Sequence, residues 1–196
     1  KLKRREEDLV QMATTDKLTG ALNRHAFFDM GNALYKKCFQ LGKPVSLLFI
    51  DIDHFKLAND QRGHEFGDAA LTTFAGVFRE CLRSEDVSCR YGGEEFVLLL
   101  ANADADAALL VAHRISENTR NIRFEEYPDF RLTISVGVSS MLPSAGSGLD
   151  LLIRCADSAM FRAKTAGRDQ VMVGLLEESA KNGEKPSCQL RLVPIK

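Results

Sequence analysis

The chain has 196 residues, 45% of them hydrophobic and 27% charged, with a formal net charge of -1. That length supports one domain with appendages and a core of its own. The balanced charge argues against a nucleic-acid surface, so any nucleotide partner should be a small nucleotide and no polymer.

Lys1 to Met12 is charged and helix-favouring, and Leu2 and Leu9 stand seven apart as one heptad step would place them. Residues 1–15 are therefore expected to form a linker helix, ended by Asp16-Lys17-Leu18-Thr19-Gly20. A helix over about Arg24 to Gln40 follows, with Phe27, Met30, Leu34 and Cys38 on one stripe and Gly42-Lys43-Pro44 as its stop. Val45 to Ile50 reads as a buried strand ending in Asp51-Ile52-Asp53. After a polar loop with Asn59, Asp60 and Gly63, the stripe Phe66, Ala70, Leu71, Phe74, Val77, Phe78 predicts an amphipathic helix. A hairpin is expected over 87–100, then a helix near 104–120 carrying Leu109, Leu110, Ala112 and Ile115. Leu132, Ile134, Val136 and Val138 alternate as a half-buried strand, and 143–148 is a Gly/Ser/Pro loop. A last helix over 149–166, stopped by Gly167, leads into a short strand from Gln170 to Val173. The domain should span 16–175, leaving 176–196 as a polar tail.

No apolar stretch approaches a membrane span and no signal peptide is visible, so a cytoplasmic location is expected. The five cysteines (Cys38, Cys81, Cys89, Cys155, Cys188) are odd in number and never spaced C-x-x-C, which predicts reduced thiols and no structural zinc. His25, His54, His64 and His113 form no H-E-x-x-H pair, and the P-loop, G-x-G-x-x-G and G-x-S-x-G patterns are absent.

Read from residue 45, the elements run β-α-β-β-α-β. That is the ferredoxin-like split pattern, a mainly antiparallel sheet with helices on one face, here with additional helices and a short C-terminal strand, in the α/β (α+β) class. Its crossovers place the first strand beside the third. Within the hairpin, Gly92-Gly93 predicts a two-residue type I′ turn, and Glu94-Glu95 stand at its mouth. Period two puts Asp51 and Asp53 on one strand face, so Asp51 could converge with Glu94 and Glu95. Such an oxygen-rich cluster suits a hard cation such as Mg²⁺. The plain alternative for each acid is a solvated turn carboxylate.

These residues carry a resemblance. The chain from about Asp16 to Val173 resembles the GGDEF domain of diguanylate cyclases, with Gly92-Gly93-Glu94-Glu95-Phe96 as the GGEEF form of the signature. The entry motif D-x-L-T-G-L-x-N-R appears from Asp16 to Arg24, departing only at Ala21, and D-x-D-x-F-K-x-x-N-D appears from Asp51 to Asp60. G-H-x-x-G-D is Gly63 to Asp68, and A-K-x-x-G-R is Ala163 to Arg168. His54 departs from the large apolar residue usual at its position, where the family mostly offers backbone amides to phosphates.

The resemblance implies condensation of two GTP into cyclic di-GMP and two pyrophosphates, across a homodimer whose protomers each hold one GTP. It implies two Mg²⁺ ions per site, with Mn²⁺ as an alternative, on Asp51, the carbonyl of Ile52, Glu94 and Glu95. Asn59 and Asp68 resemble the guanine readers, and Lys56, Lys164 and Arg168 the phosphate clamps, with Lys56, Glu94 and Glu95 taken as catalytic. Gly92 and Gly93 would let the backbone approach the nucleotide. Arg83-Ser84-Glu85-Asp86 fits the family's R-x-x-D, a site where cyclic di-GMP acts as product and inhibitor, with Arg114 in support. A chain opening on Lys suggests a fragment lacking an upstream sensor domain, through which a full-length protein could be membrane-tethered. The rival readings are a catalytically silent GGDEF domain acting as a cyclic di-GMP receptor or GTP sensor, and a dimerisation module using the N-terminal helix; the intact acids argue against the first and the full set of polar site residues against the second.

Overall fold

A computed structural model describes residues 13–177 and 187–189. At its centre, β1 (Val45–Ile52) pairs antiparallel with both β3 (Glu95–Ala101) and β4 (Ile134–Met141). Outside β3 lies β2 (Val87–Arg90), antiparallel. Outside β4 come β5 (Val171–Glu177), parallel, and β6 (Ser187–Gln189), antiparallel to β5. The order is β2-β3-β1-β4-β5-β6. With α3 (His64–Cys81) and α4 (Ala105–Arg120), the first four strands make the expected split β-α-β-β-α-β core, with the first strand beside the third.

Helices cover both faces, not one. Leu48, Ile50 and Ile52 of β1 pack with Phe74 and Phe78 of α3 and Ala108, Ala112 and Ile115 of α4. The alternate residues Val45, Leu47 and Phe49 pack with Phe27 and Leu34 of α1 (Arg24–Leu41) and with Leu152, Ala156 and Met160 of α5 (Leu149–Thr165). The helices on this second face belong to the elements outside the six-element pattern. All eight residues of β1 are buried, and a strand buried on both faces reads as a near-continuous apolar run whose parity names no solvent side.

Other differences are local. The polar stretch after β1 is helical, α2 (Phe55–Arg62). It buries only Phe55 and Ala58 and starts at His54, in the left-handed region at φ 56° with no side-chain cap, so neither periodicity nor capping marks it. Leu110, assigned to the inward set of its helix, is 73% exposed. The strand expected from Leu132 begins at Ile134 and runs to Met141. The strand expected to stop at Val173 continues to Glu177 and pairs with β6, within the stretch read as a polar tail. Cys38, Cys81 and Cys89 are free and buried, but Cys155 is disulfide-bonded, against the expectation of reduced thiols throughout. The predicted linker helix with its Leu2–Leu9 step, and most of the tail, lie outside the described residues. No helix among the described residues is long and apolar enough to cross a membrane.

The contact that fixes α5 on the sheet is backbone to backbone. At Gly137 of β4 an added Cβ would run into the carbonyl oxygen of Ala156 and the amide nitrogen of Met160, both on α5. Neither can swing aside as a side chain would. Gly137→Ala should therefore destabilise the protein by about 1–3 kcal/mol, the usual cost of overpacking. A fall in the urea midpoint at unchanged m-value checks this, and an unchanged midpoint would show that α5 can give way.

Candidate active site

Strand parity places the first site residue. Asp51 continues the Val45, Leu47, Phe49 set, so it faces the side covered by α1 and α5. It stands opposite Glu95 on β3 and Ser135 on β4 and is only 3% exposed. Lys164, in the last turn of α5, reaches its Oδ2 at 3.0 Å. The other oxygen, Oδ1, is buried with no hydrogen-bond partner. A buried carboxylate with one oxygen unpaired is expensive and calls for a cation or donor.

Electrostatics repeat that demand. Burial pushes the Asp51 carboxyl above the usual aspartate range, the Lys164 ammonium pulls it back in part, and Asp53 pushes it up again. Arg168 also lowers it, which places that guanidinium within electrostatic reach. Glu94 and Glu95 are likewise raised, first by burial and next by the Asp51 charge. Asp157 of α5 adds to the repulsion on Glu95, while Lys164 and Arg24 oppose it. Acids that hinder one another's ionisation form a site primed for positive charge. The expected three-way convergence is not complete: among the described residues no three His, Cys, Asp or Glu side chains are gathered as a metal-holding group. The pairing of Asp51 with Glu95 and the unpartnered Oδ1 nevertheless fit a hard cation on oxygen ligands.

The signature turn differs from the expected type I′ geometry. Tyr91 N–H and Gly92 N–H both donate to the Glu95 carbonyl, at 2.8 and 3.2 Å, so the loop spans Gly92 to Glu94. Neither glycine has positive φ. At Gly92 a Cβ would meet the tip of the Glu95 side chain, which would have to swing aside, whereas Gly93 has open surroundings. The Glu94 carbonyl accepts from Ile52 N–H at 3.2 Å, which ties the turn to the end of β1.

Arg90, not singled out from the sequence, secures the turn from the other side. Its Nε and a terminal nitrogen donate to the Gly93 carbonyl at 3.1 and 2.7 Å, and its other terminal nitrogen meets both Asp16 oxygens at 3.3 Å. Burial raises Asp16, but hydrogen bonds from Thr19 and the Arg90 charge outweigh it and hold the carboxyl low. The entry motif is thus an anchor for the signature.

The remaining predicted residues divide by place. Asn59 on α2 packs against Gly67 of α3, where a Cβ would collide with the Asn59 amide, and Asn59 Oδ1 is buried without a partner. Asp68 follows on α3 and is exposed, as are Lys56 and His54. Arg168 is exposed at φ 64°. Arg83, Asp86 and Arg114 lie elsewhere, beyond the end of β3 opposite the signature. Asp86 accepts from Arg83 N–H at 2.9 Å and from Ala101 N–H at 3.0 Å, and Arg114 donates to the Cys81 carbonyl at 2.6 Å. Arg83 itself is exposed. Asp53 and Arg120 also bond partners far away in the chain, which no local spacing marks.

Comparison with known proteins identifies the family. A family model described as "Diguanylate cyclase, GGDEF domain" matches residues 13–170. The chain is 35% identical over 173 residues to the probable diguanylate cyclase DgcC of Escherichia coli (strain K12), covering 88% of this chain and 46% of that protein. It is 38% identical over 168 residues to the response regulator PleD of Caulobacter vibrioides, covering 83% of this chain and 36% of that protein. It therefore spans less than half the length of these curated relatives. Among solved structures, the coiled coil and GGDEF domain of DgcB from Caulobacter crescentus, in complex with c-di-GMP, superposes with a TM-score of 0.81 at 27% identity, covering 88% of this chain and 91% of that one. The active GGEEF domain of a diguanylate cyclase from Vibrio cholerae gives 0.72 at 31% identity, covering 78% and 96%.

The raised acids have a stability consequence. A carboxyl with a raised folded-state pKa stabilises the fold below its unfolded value and withdraws that stability as pH climbs through the folded value. At neutral pH, in chelator, Glu95→Gln should therefore melt above the unmutated protein. The gap should close as pH drops below the ordinary glutamate value of 4.5. Melting curves at several pH values check it, and a gap that does not vary with pH would remove Glu95 from the repulsive cluster.

Proposed function

Because the chain belongs to the GGDEF family of diguanylate cyclase domains, we propose that it condenses two GTP molecules into cyclic di-GMP. Each protomer holds one GTP, and two protomers face each other. The 3′-oxygen of one nucleotide bonds to the α-phosphorus of the other, the bond to the β-phosphate oxygen breaks, pyrophosphate leaves and the 3′ proton is lost. The second such step closes the ring.

The observation that carries this reading is the Asp51–Glu95 pair beneath Lys164, with a buried Asp51 oxygen left unpaired. Asp51, Glu94, Glu95 and the carbonyl of Ile52 would hold two Mg²⁺ ions, whose charge would stabilise the triphosphate and the attacking oxygen. Lys56, Lys164 and Arg168 bind phosphate oxygens as charged donors. Asn59 and Asp68 read the guanine edge, and the packing of Asn59 on Gly67 supports a shared α2–α3 recognition corner. Gly92 and Gly93 admit the nucleotide to the turn.

A second, product-binding site is proposed at Arg83, Asp86 and Arg114. Asp86 is held by two backbone amides while Arg83 stays exposed, which leaves the guanidinium free to grip a guanine edge. Cyclic di-GMP bound there would hold protomers apart, a coupling between distinct sites. The silent-domain alternative has against it the intact Gly92-Gly93-Glu94-Glu95-Phe96 segment.

Purified protein with GTP and Mg²⁺ should form cyclic di-GMP, and Glu95→Gln should slow it by on the order of a hundredfold or more, because a ligand is lost where transition-state charge develops. Chromatographic detection of product tests both, and full activity in the variant would defeat the metal assignment. Arg83→Ala should relieve product inhibition at an unchanged initial rate. Calorimetry showing unaltered cyclic di-GMP affinity in that variant would remove the second site.

A further inference from the structure

The turn after α5 is wound against its own preference. Gly167, Arg168 and Asp169 have φ of 123°, 64° and 48° in succession, and the last two carry side chains in the left-handed region that non-glycine residues avoid. Such a conformation persists only where the surroundings over-determine it.

Two residues do so here. Asp53 is 4% exposed, and its Oδ2 accepts the Asp169 N–H at 3.0 Å. Thr133 Oγ1 donates to that same oxygen at 2.8 Å, and Ser135 Oγ donates to Oδ1 at 2.6 Å. Both Asp53 oxygens are therefore taken by protein donors, unlike those of Asp51. From α4, Arg120 Nε meets the two Asp169 carboxylate oxygens at 2.8 and 3.1 Å, and a terminal nitrogen donates to the Asp169 carbonyl at 3.2 Å. The strained turn is thus clamped on its amide, its carbonyl and its side chain by β1's extension and by α4. The residue carried by that turn is Arg168.

We propose that Asp53, Arg120 and Asp169 form a strut that sets the position of Arg168, making Asp53 and Arg120 positioning residues for the polyphosphate of the bound nucleotide. The inference rests on reading Arg168 as a phosphate clamp of the GTP site. An exposed ion pair is worth little by itself. Here the fork geometry adds direction, because one guanidinium fixes both the carboxylate and the carbonyl of the same residue.

The test is a double-mutant cycle on the full chain, using 3′-deoxy-GTP, which can bind but lacks the attacking hydroxyl. Arg120→Met should weaken analogue binding about three- to tenfold, within the range of coupled neighbours, and should raise KM for GTP more than it lowers kcat. In an Arg168→Ala background the same change should add nothing. Asp53→Asn, which can still accept the Asp169 N–H, should keep the Mg²⁺ dependence of the unmutated protein, as a metal ligand would not. Should Arg120→Met fail to fold, Asp169→Asn removes the ion pair while keeping the turn's backbone donor and carbonyl, and it enters the same cycle with the same expectation. Additive losses with Arg168→Ala overturn the strut, as does unchanged analogue binding in Arg168→Ala alone while the unmutated protein still makes cyclic di-GMP. If the unmutated protein neither binds the analogue nor forms product, the cyclase reading fails and the strut fails with it.

Discussion

A carboxylate buried at the end of the central strand is the constraint around which this domain is arranged. Asp51 lies between β3 and β4 and under α5, where water cannot solvate it. Removing a charge from water is unfavourable by several kcal/mol unless partners replace the lost hydration. One oxygen has Lys164 at 3.0 Å and the other has none. The deficit is local, and the Asp51 charge raises the Glu94 and Glu95 carboxyls as well. A protein free to optimise stability alone would fill this place with an apolar residue, as it has at Phe49 and Ile50. The retained acid supports the proposal that a bound cation completes this site.

Lys164 can serve Asp51 only because α5 sits low on the sheet. Gly137 permits that approach, placing helix backbone directly on strand backbone. A larger residue there would lift α5 and with it the ammonium, so a residue on β4 with no functional group of its own governs the electrostatics of the site. The signature turn depends on the same kind of remote support. Arg90 joins the Gly93 carbonyl to Asp16, and Leu22 is bonded to β2 at both its groups, its N–H to the Ser88 carbonyl and its carbonyl to Arg90 N–H. The motif leading into α1 is therefore a brace on the edge strand, and its distance from β2 in sequence conceals their contact in space.

What could be read from the sequence was whatever local spacing dictates. The strand ending in Asp51, the acids of the hairpin and the split order that sets β1 beside β3 were all legible, because period and element order are one-dimensional facts. The second helical face was not, since β1 is apolar on both sides and its parity marks no solvent face. Helix α2 escaped because it is short and mostly exposed, and begins at an uncapped left-handed histidine. The two glycines of the signature suggest positive φ, but neither adopts it, and Gly92 instead lies against the Glu95 side chain, a contact that torsional rules do not register. Arg90 and Arg120 escape local spacing because the carboxylates they pair with lie 74 and 49 residues away.

Asp51 and Asp53 show how far residue type alone can carry a functional reading. They are two apart, have the same side chain and are both almost fully buried. Asp53 is met by two hydroxyls and a backbone amide, so every oxygen is satisfied and its charge is spent on holding β4 and the turn after α5. Asp51 receives a single ammonium and keeps an unpaired oxygen. The difference comes from their neighbours: Ser135 and Thr133 turn hydroxyls toward Asp53, while Asp51 faces an acid across the β1–β3 ladder. Identical carboxylates become a structural tie and a candidate ligand according to how many donors the fold supplies to each. In a buried site, a shortage of donors marks the carboxylate that a bound cation would complete.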